Sequence, residues 1–256
     1  MFINLGNPVS SSPLNNGLVG WWLGLRNNSG SPTWFDLVNQ QNGTLVSGYS
    51  WSALPNQFNG LSLSSSNAYL PDRSFGTGAY SAACWVYPTA LSGYQNLLRS
   101  DSGLGGVGNF WFLRTNGTGL EWYPSNIGGV IGVGSLSNNN WYLVVGTRDG
   151  SGNSALYSNG VQLGTNTGAT NNAGGSGNPT WIGSLSGSIE LFAGTVGAAW
   201  MWNRALSADD VWRLYDQTLR GYPDTLRRWS RRSSVYVATS PPPASTGKNL
   251  LLLGVG

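Results

Sequence analysis

The sequence contains no histidine and only one cysteine among its 256 residues, and these absences exclude most of the side-chain sets that enzymes use. Without histidine there is no Ser-His-Asp or Cys-His nucleophile system and no histidine-ligated zinc. The single cysteine, Cys84, forms no intrachain disulfide, so the fold does not depend on oxidation. Because Cys84 lies in an apolar segment, residues 81–86, we predict a buried and unreactive thiol.

Acidic side chains are scarce as well. The only two glutamates, Glu121 and Glu190, are far apart in the sequence, and neither has a second acid among its neighbours. Glycosidases that use two carboxylates aim both of them at one glycosidic bond. We therefore predict that the protein is not an enzyme and that it has no catalytic residues and no cofactor.

Charged residues make up only 9% of the chain, well below the roughly 25% of an ordinary soluble protein. Residues 1–216 contain seven arginines and nine acids, a net charge of −2, whereas residues 217–256 contain six basic residues and one aspartate, a net charge of +5. A basic terminal segment beside a near-neutral body indicates contact with an acidic partner, and a solvated surface cluster is the alternative.

No targeting or membrane segment is expected. The first residues have neither the basic stretch nor the long apolar stretch of a signal peptide. The longest late apolar run, Leu250 to Leu253, is far too short to cross a bilayer. We therefore expect assembly in the cytoplasm and no membrane association.

Short apolar or alternating runs, separated by glycine, asparagine and serine, predict an all-β protein. Two hairpin turns are well marked, at residues 149–153 and at Ser158-Asn159-Gly160, because Asn-Gly favours the positive φ angles of tight hairpins. The strand candidates are residues 18–25, 58–63, 80–87, 95–99, 110–114, 120–123, 141–147, 154–157, 161–164, 180–182 and 195–202.

One helix is predicted after residue 207. Ser207 and Asp210 form a capping-box pattern, and apolar residues follow at helical spacing from Val211. Asp209 and Asp210 lie in the first turn, where the helix dipole favours negative charge. We therefore interpret this acidic pair as structural and not as a metal or catalytic site.

Two stretches of the chain resemble laminin-G-like and pentraxin-like domains of the concanavalin-A-like superfamily. The first is a hairpin, NWYLVVGTRDG at residues 140–150 followed by ALYSNG at residues 155–160. The second resembles the closing strand and helix start of the family and is GTVGAAWMWNRALS at residues 194–207. Weaker similarities lie at residues 17–22 and 83–88.

The resemblance covers about residues 17–216 and implies a jelly-roll sandwich of two antiparallel sheets with one short C-terminal helix. It divides the chain into an N-terminal extension at residues 1–16, a sandwich domain at residues 17–216 and an extended, basic C-terminal arm at residues 217–256. Because this fold carries many unrelated functions, the resemblance alone implies no activity.

The arm is predicted to contact a partner through its arginines and aromatic residues. Tyr236 lies in a β-prone stretch that can add to a sheet edge, and the prolines at residues 241–243 give an extended segment. Nucleic acid is the less favoured partner, because the arginines are few and the prolines have no role there. The predicted contact residues are Arg227, Arg228, Trp229, Arg231, Arg232 and Tyr236.

No metal site is expected in the sandwich. Pentraxin-like relatives carry an acidic run after the strand that corresponds here to residues 180–183, but Ser184-Leu185-Ser186 follow it in this chain, so that calcium site is not carried over. Asp72 and Asp101 are acids in the expected rim loops. We interpret them as ordinary loop acids, and a laminin-type calcium site is the alternative.

Trp200 and Trp202 are predicted to lie in a covered surface. They precede the N-R-A-L-S segment, where relatives commonly carry charged outward residues, so apolar residues indicate a cover, either a partner or the arm folding back. We therefore predict both rings as partner contacts. Most of the 13 tryptophans are expected in the core, with sugar stacking as the alternative.

Three functions are open to such a protein. The low charge, the lack of disulfides and signal peptide, and the terminal arm favour a structural or assembly protein of a virus particle, such as a phage head-decoration or tail-associated protein. Its expected location is the virion, and its partners are other virion proteins and copies of itself. The fold and the aromatic residues favour a carbohydrate-binding or adhesion module as the alternative, with surface glycans as partners. A glycan-cleaving enzyme is disfavoured by the scarcity of carboxylates.

Overall fold

The computed structural model describes residues 12–24, 33–46, 48–54, 59–64, 68–101, 109–126, 131–174, 177 and 179–219. These residues form antiparallel strands and one α-helix, α1, at Ala208–Leu219, with a short 3-10 helix at Pro13–Asn15. Strands β1 to β8 are Leu18–Leu23, Thr33–Asp36, Gly43–Leu45, Tyr49–Ala53, Asn59–Ser64, Ala68–Leu70, Tyr80–Pro88 and Tyr94–Asp101. Strands β9 to β16 are Phe110–Asn116, Gly119–Tyr123, Ile131–Val133, Tyr142–Arg148, Ser154–Ser158, Val161–Asn166, Thr180–Ile182 and Ala193–Trp202.

Every strand that the sequence predicts is present, with boundaries that differ by a few residues. The tight hairpin between β13 and β14 is confirmed as well, because Asn159 and Gly160 have φ angles of 50° and 81°. The sequence missed β2, β3, β4, β6 and β11, which have three to five residues each. Runs this short show too little alternation to be recognised.

The strands form two stacked antiparallel sheets, so the predicted jelly-roll sandwich is confirmed. Sheet A has the order β1-β16-β7-β12-β13-β14, and β5 with β4 extends it beside the first half of β16. Sheet B has the order β11-β10-β9-β8-β15-β6-β3-β2. Strand β2 pairs with β1 as well as β3 and thereby joins the two sheets.

The main core lies between the sheets and consists largely of aromatic and aliphatic side chains. Trp22, Trp111 and Trp122 are completely buried there, and Cys84 is buried among them, as predicted. Burial raises the pKa of the Cys84 thiol, because a thiolate would be desolvated. This cysteine is therefore a packing residue.

A second core lies on the other side of sheet A, beneath α1 and the 3-10 helix. Trp200 and Trp202 belong to it and are only 4% and 1% exposed. Trp200 stacks on Trp21 with ring centroids 6.2 Å apart, and Trp202 Nε1 donates a hydrogen bond to the Leu14 carbonyl at 2.7 Å. The predicted partner contact of these rings is therefore wrong: the chain itself covers this surface.

The described body extends beyond the predicted boundaries of residues 17 and 216. At its N-terminal end, Leu14 is buried in the second core. At its C-terminal end α1 continues to Leu219, and Trp85 Nε1 donates a 2.8 Å hydrogen bond to Thr218 Oγ1. Residues at both ends therefore belong to the sandwich. The arm residues predicted as partner contacts, from Arg227 to Tyr236, lie outside the described residues.

The predicted capping box at the start of α1 is confirmed. The Asp210 amide donates to Ser207 Oγ at 3.1 Å, and the Ser207 amide donates to Asp210 Oδ2 at 3.2 Å. Burial alone would raise the pKa of Asp210, but hydrogen bonds from Arg204 and Ser207 outweigh it and lower the pKa. Because its pKa is lowered in the folded protein, ionised Asp210 stabilises the fold at pH values above the ordinary aspartate pKa. This contribution is lost as the pH falls through the lowered pKa.

We expect Ser207→Ala to lower the free energy of unfolding by about 1 kcal/mol, because the Asp210 amide loses its acceptor. Urea unfolding followed by circular dichroism measures this change. Ser207→Asp is the control, since aspartate also caps helices and should retain most of the stability. A Ser207→Ala protein as stable as the unchanged one would show that the cap contributes nothing.

Among the residues that the structure describes, no helix has the length and apolar character that crossing a membrane requires.

Candidate functional site

Within the part of the chain that the structure describes, the outer face of sheet B is the sheet surface that no other layer covers. The inner face of sheet B packs in the main core, and sheet A is buried between this core and α1. Because side chains alternate along a strand, the neighbours of the buried residues point outward. In β9, for example, Trp111 and Leu113 are fully buried, whereas Phe110 and Arg114 are only half-buried. This face is therefore the candidate functional site.

One row of side chains crosses five neighbouring strands of this face. Each member lies directly opposite the next one on the neighbouring strand. In the strand order β6, β15, β8, β9 and β10, the members are Tyr69, Trp181, Arg99, Phe112 and Tyr123. With strands about 4.8 Å apart, the row is roughly 19 Å long. Four of its five members are aromatic, which gives the face a flat, largely apolar strip.

The rings in this row contact one another and one cation. Tyr69 and Trp181 meet edge to face with centroids 5.6 Å apart. Phe112 and Tyr123 lie 4.4 Å apart, and Arg99 Cζ lies 4.9 Å from the Phe112 centroid. Phe112 is only 4% exposed, whereas Tyr69, Trp181 and Tyr123 are half-buried. The three half-buried rings are therefore the ones that a ligand can contact.

A charged cluster lies beside the row, at its β8–β9–β10 end. Arg114 Nε donates to Glu121 Oε2 at 2.7 Å, and Arg114 Nη1 lies 3.4 Å from Glu190. The Arg114 guanidinium also stacks on Tyr94, whose ring centroid is 3.8 Å from Cζ. Tyr94 is 47% exposed. We call these four residues the Arg114 cluster.

Two asparagine amides complete the surroundings of the carboxylates. Asn116 Nδ2 donates to Glu121 Oε1 at 2.8 Å, and Asn96 Nδ2 donates to Glu190 Oε2 at 2.6 Å. Glu190 comes from the segment between β15 and β16, and its carbonyl accepts the Asn96 amide at 2.9 Å. This segment is therefore fixed against one end of the face.

The structure brings together residues that the sequence kept apart. Glu121 and Glu190 were expected to be isolated, but both carboxylates bind Arg114. Sequence reasoning also missed Tyr69, Trp181 and the rest of the row. The available signal was the spacing of Phe110, Phe112 and Arg114, since aromatic residues at outward positions of a strand do not suit a purely solvated face.

The arrangement can bind a ligand, and its two carboxylates are both engaged as hydrogen-bond acceptors. Glycoside hydrolysis requires one carboxyl that donates a proton to the leaving oxygen. Glu121 and Glu190 each accept hydrogen bonds from Arg114 and from an asparagine amide. Both carboxylates therefore act as acceptors in this geometry.

Metal ligands are not assembled in the described ranges, where no three acidic or cysteine side chains come together in a group suited to a metal ion. Of the two rim acids, Asp72 accepts a hydrogen bond from the Gly177 amide at 2.6 Å. Asp101 is the last residue of β8.

A shallow hollow of about 390 Å³ lies on sheet A, where β12, β13 and β14 meet the segment before α1. Its carboxylate, Asp149, already accepts the Ser151 and Asn153 amides at 2.9 and 2.8 Å. Its Asn166 Oδ1 likewise accepts the Thr167 amide at 2.6 Å. Because these polar groups are used within the chain, the hollow offers less to a ligand than the face of sheet B.

Comparisons with known proteins agree with the fold. A family model described as the concanavalin A-like lectin/glucanases superfamily matches residues 62–212. No curated protein sequence matches the chain.

Several solved structures share the fold at low sequence identity. Domain 4 of AbnA, an extracellular arabinanase from Geobacillus stearothermophilus in complex with arabinotriose, is 17% identical with a TM-score of 0.60, over 77% of this chain and 98% of that one. The binding domain of Paraclostridial Mosquitocidal Protein 1 is 16% identical with a TM-score of 0.62, over 80% of this chain and 53% of that one. Trypanosoma rangeli sialidase in complex with sialic acid is 18% identical with a TM-score of 0.59, over 81% of this chain and 34% of that one. The match spans about a third of the sialidase and about half of the mosquitocidal binding domain.

Proposed function

Because the chain belongs to the concanavalin A-like lectin/glucanases superfamily, we propose that it is a carbohydrate-binding protein that holds a glycan on the outer face of sheet B. The observation that carries this proposal is the row from Tyr69 to Tyr123, with three half-buried aromatic rings on the sheet face that the described residues leave open. Aromatic faces suit the apolar faces of sugar rings, while the polar groups of the Arg114 cluster suit sugar hydroxyls.

The solved structures that share the fold support this proposal. The AbnA domain was solved in complex with arabinotriose, and the sialidase in complex with sialic acid. The match with the AbnA domain covers 98% of that domain, so the shared fold is the whole of domain 4. The row in this chain is long enough for a short oligosaccharide, because it crosses five strands.

The protein is further proposed to be non-enzymatic, since Glu121 and Glu190 both serve as hydrogen-bond acceptors beside Arg114. The experiment is a polysaccharide panel in which binding and the release of reducing ends are measured together. We expect binding of at least one glycan, weakened in Tyr69→Ala, and no release of reducing ends. Absence of all binding would contradict the carbohydrate proposal, and turnover that disappears in Glu121→Gln or Glu190→Gln would contradict the non-enzymatic one.

As a second function we propose a structural role in a virus particle, as a head-decoration or tail-associated protein. The observation that favours it is the uneven charge, +5 in residues 217–256 against −2 in residues 1–216. In this proposal the arm pairs with acidic groups of other virion proteins or of further copies of the chain. The protein would then be located in the virion, and glycan binding would be compatible with that location.

We expect deletion of residues 220–256 to leave the sandwich folded and to abolish attachment to the particle. The cut follows α1, because removal of Thr218 would break its hydrogen bond with Trp85. The measurements are the melting temperature and the incorporation of the protein into purified particles. A full-length control with Arg227, Arg228, Arg231 and Arg232 changed to Gln separates charge from length. Equal incorporation of the truncated and intact proteins would contradict the arm proposal.

A further inference from the structure

We propose that the Arg114 cluster makes the outer face of sheet B selective for neutral glycans and excludes acidic ones such as uronates and sulfated sugars. This inference rests on the proposed carbohydrate-binding function and names its substrate class. The contacts of Glu121 and Glu190 with Arg114 carry it.

The first step concerns charge. Arg114 contributes one positive charge, and Glu121 and Glu190 contribute two negative charges, so this part of the cluster is net negative. Both carboxylates lie within 3.4 Å of the guanidinium, so the cation is neutralised inside the protein. The cation of the row, Arg99, lies against Phe110 and Phe112 and is only 7% exposed. An acidic sugar beside the cluster would therefore first meet two carboxylates that are more exposed, and like charges at such short range repel each other.

The second step concerns hydrogen-bonding capacity. A carboxylate has about four lone-pair sites, whereas Glu121 accepts two hydrogen bonds, from Arg114 and Asn116. The side chains of Arg114, Glu121 and Glu190 are 13%, 12% and 18% exposed, so a ligand can reach them. A sugar hydroxyl can donate, and it can therefore use the remaining acceptor sites of the carboxylates, which an acidic group without a proton cannot do.

The third step concerns position. Arg114 contacts both Tyr94 and Phe112, with Cζ 3.8 and 4.4 Å from the two ring centroids. Since Phe112 belongs to the aromatic row, the cluster adjoins the row directly. A glycan lying on Tyr123 therefore passes next to the two carboxylates, and any charge on the glycan interacts with them.

The test compares the intact protein with the double variant Glu121→Gln/Glu190→Gln. Glutamine has nearly the shape of glutamate and keeps one of its two side-chain oxygens, so the substitutions remove both negative charges and leave the Arg114 cation unopposed in the cluster. The probes are three pairs that share a backbone and differ in charge: dextran and dextran sulfate, hydroxyethylcellulose and carboxymethylcellulose, and methyl-esterified and free polygalacturonan. Binding is measured by affinity electrophoresis at low and high salt.

We expect the intact protein to bind the acidic member of each pair more weakly than the neutral one. The double variant should gain affinity for acidic members, by about tenfold at low salt, and lose this gain at high salt because the new attraction is electrostatic. Asp209→Asn/Asp216→Asn is the matched control. It raises the net charge equally, at two exposed positions of α1, and should gain nothing.

The outcomes separate the inference from the function on which it rests. If the intact protein binds acidic members as tightly as neutral ones, or more tightly, the protein binds glycans but the inference is overturned. If the folded double variant gains no affinity for acidic members, or if the α1 control gains as much, the cluster does not set the preference and the inference is also overturned. If neither protein binds any of the six probes or any other glycan, the proposed function itself fails. Circular dichroism and melting temperature establish that the variants are folded.

Discussion

Replacing Arg148 by methionine is expected to lower the free energy of unfolding by about 3–5 kcal/mol. The Arg148 side chain is fully buried at the end of β12. It donates hydrogen bonds to three carbonyl oxygens, those of Pro124 at 3.2 Å, Asn171 at 2.8 Å and Gly76 at 3.2 Å. These acceptors belong to three connecting segments, so one side chain ties together the end of the sandwich.

The expected loss of unfolding free energy follows from the hydrogen bonds that methionine cannot make. It fills much of the same volume but donates no hydrogen bond, and each buried carbonyl without a donor costs about 1–3 kcal/mol. The Tyr80 hydroxyl still donates to the Pro124 carbonyl at 2.7 Å, and the Ala173 amide still donates to the Gly76 carbonyl at 2.7 Å. These two carbonyls therefore lose a charged donor but keep one partner, whereas the Asn171 carbonyl loses its Arg148 donor. Burial lowers the pKa of Arg148, but an arginine remains charged in proteins, and its cation lies 5.5 Å from the Tyr80 ring. The loss of this contact adds to the loss of the hydrogen bonds.

Thermal and urea unfolding measure the change, and for a domain of this size the melting temperature should fall by about 10 °C. Arg213→Met is the matched control, because Arg213 is exposed on α1 and the same substitution there should cost less than about 0.5 kcal/mol. Arg148→Lys should lie between the two, since an ammonium group keeps the charge but lacks the planar fork. A loss below about 1 kcal/mol in Arg148→Met would show that the three segments hold together without it.

The second large effect is expected at the candidate site. Trp181→Ala should weaken glycan binding by about 30-fold, equivalent to about 2 kcal/mol, because aromatic anchors dominate the energy of such contacts. Trp181 is half-buried in the middle of the outer face, between Tyr69 and Arg99 in the register of the sheet. Its main neighbour on the face is Tyr69, and losing this cross-strand pair costs at most about 1 kcal/mol of stability. The measurement is the dissociation constant for a glycan that the intact protein binds.

Trp212→Ala is the control for this prediction. Trp212 is 52% exposed on α1, on the other side of the sandwich, so its removal deletes an exposed tryptophan without touching sheet B. Its glycan affinity should equal that of the intact protein. Equal weakening in both variants, or none in Trp181→Ala, would show that the glycan does not lie on the outer face of sheet B.

Sequence reasoning was most successful where structure depends on nearby residues. The short apolar runs of β12 and β13, the Asn159-Gly160 turn and the Ser207 cap each depend on a few neighbouring residues, and all are confirmed. It failed for Trp200, because an apolar residue at an outward position indicates a cover without identifying it. The cover is the chain itself: α1 and the 3-10 helix lie over this core, and Trp21 stacks on Trp200. The sequence did predict α1 as a helix but could not dock it against sheet A.

The candidate site could not be predicted from the sequence for a related reason. Arg114 and Glu121 are seven residues apart, but Glu190 comes from a distant segment, between β15 and β16. The contact of Glu190 with Arg114 depends on β15 lying beside β8 and on the path of the chain between β15 and β16. Sequence separation therefore gave no sign that the two glutamates share one arginine.

The sequence by itself determined the all-β class, the positions of the longer strands, the capped helix and the exclusion of histidine and thiolate chemistry. Only the tertiary structure decided which sheet face the described residues leave open, which side chains form the row on it, and that Arg148 ties three distant segments together. The physical reason is range. Turn angles, caps and alternation are set by the preferences of neighbouring residues, whereas strand order and register are set by burying whole layers at once.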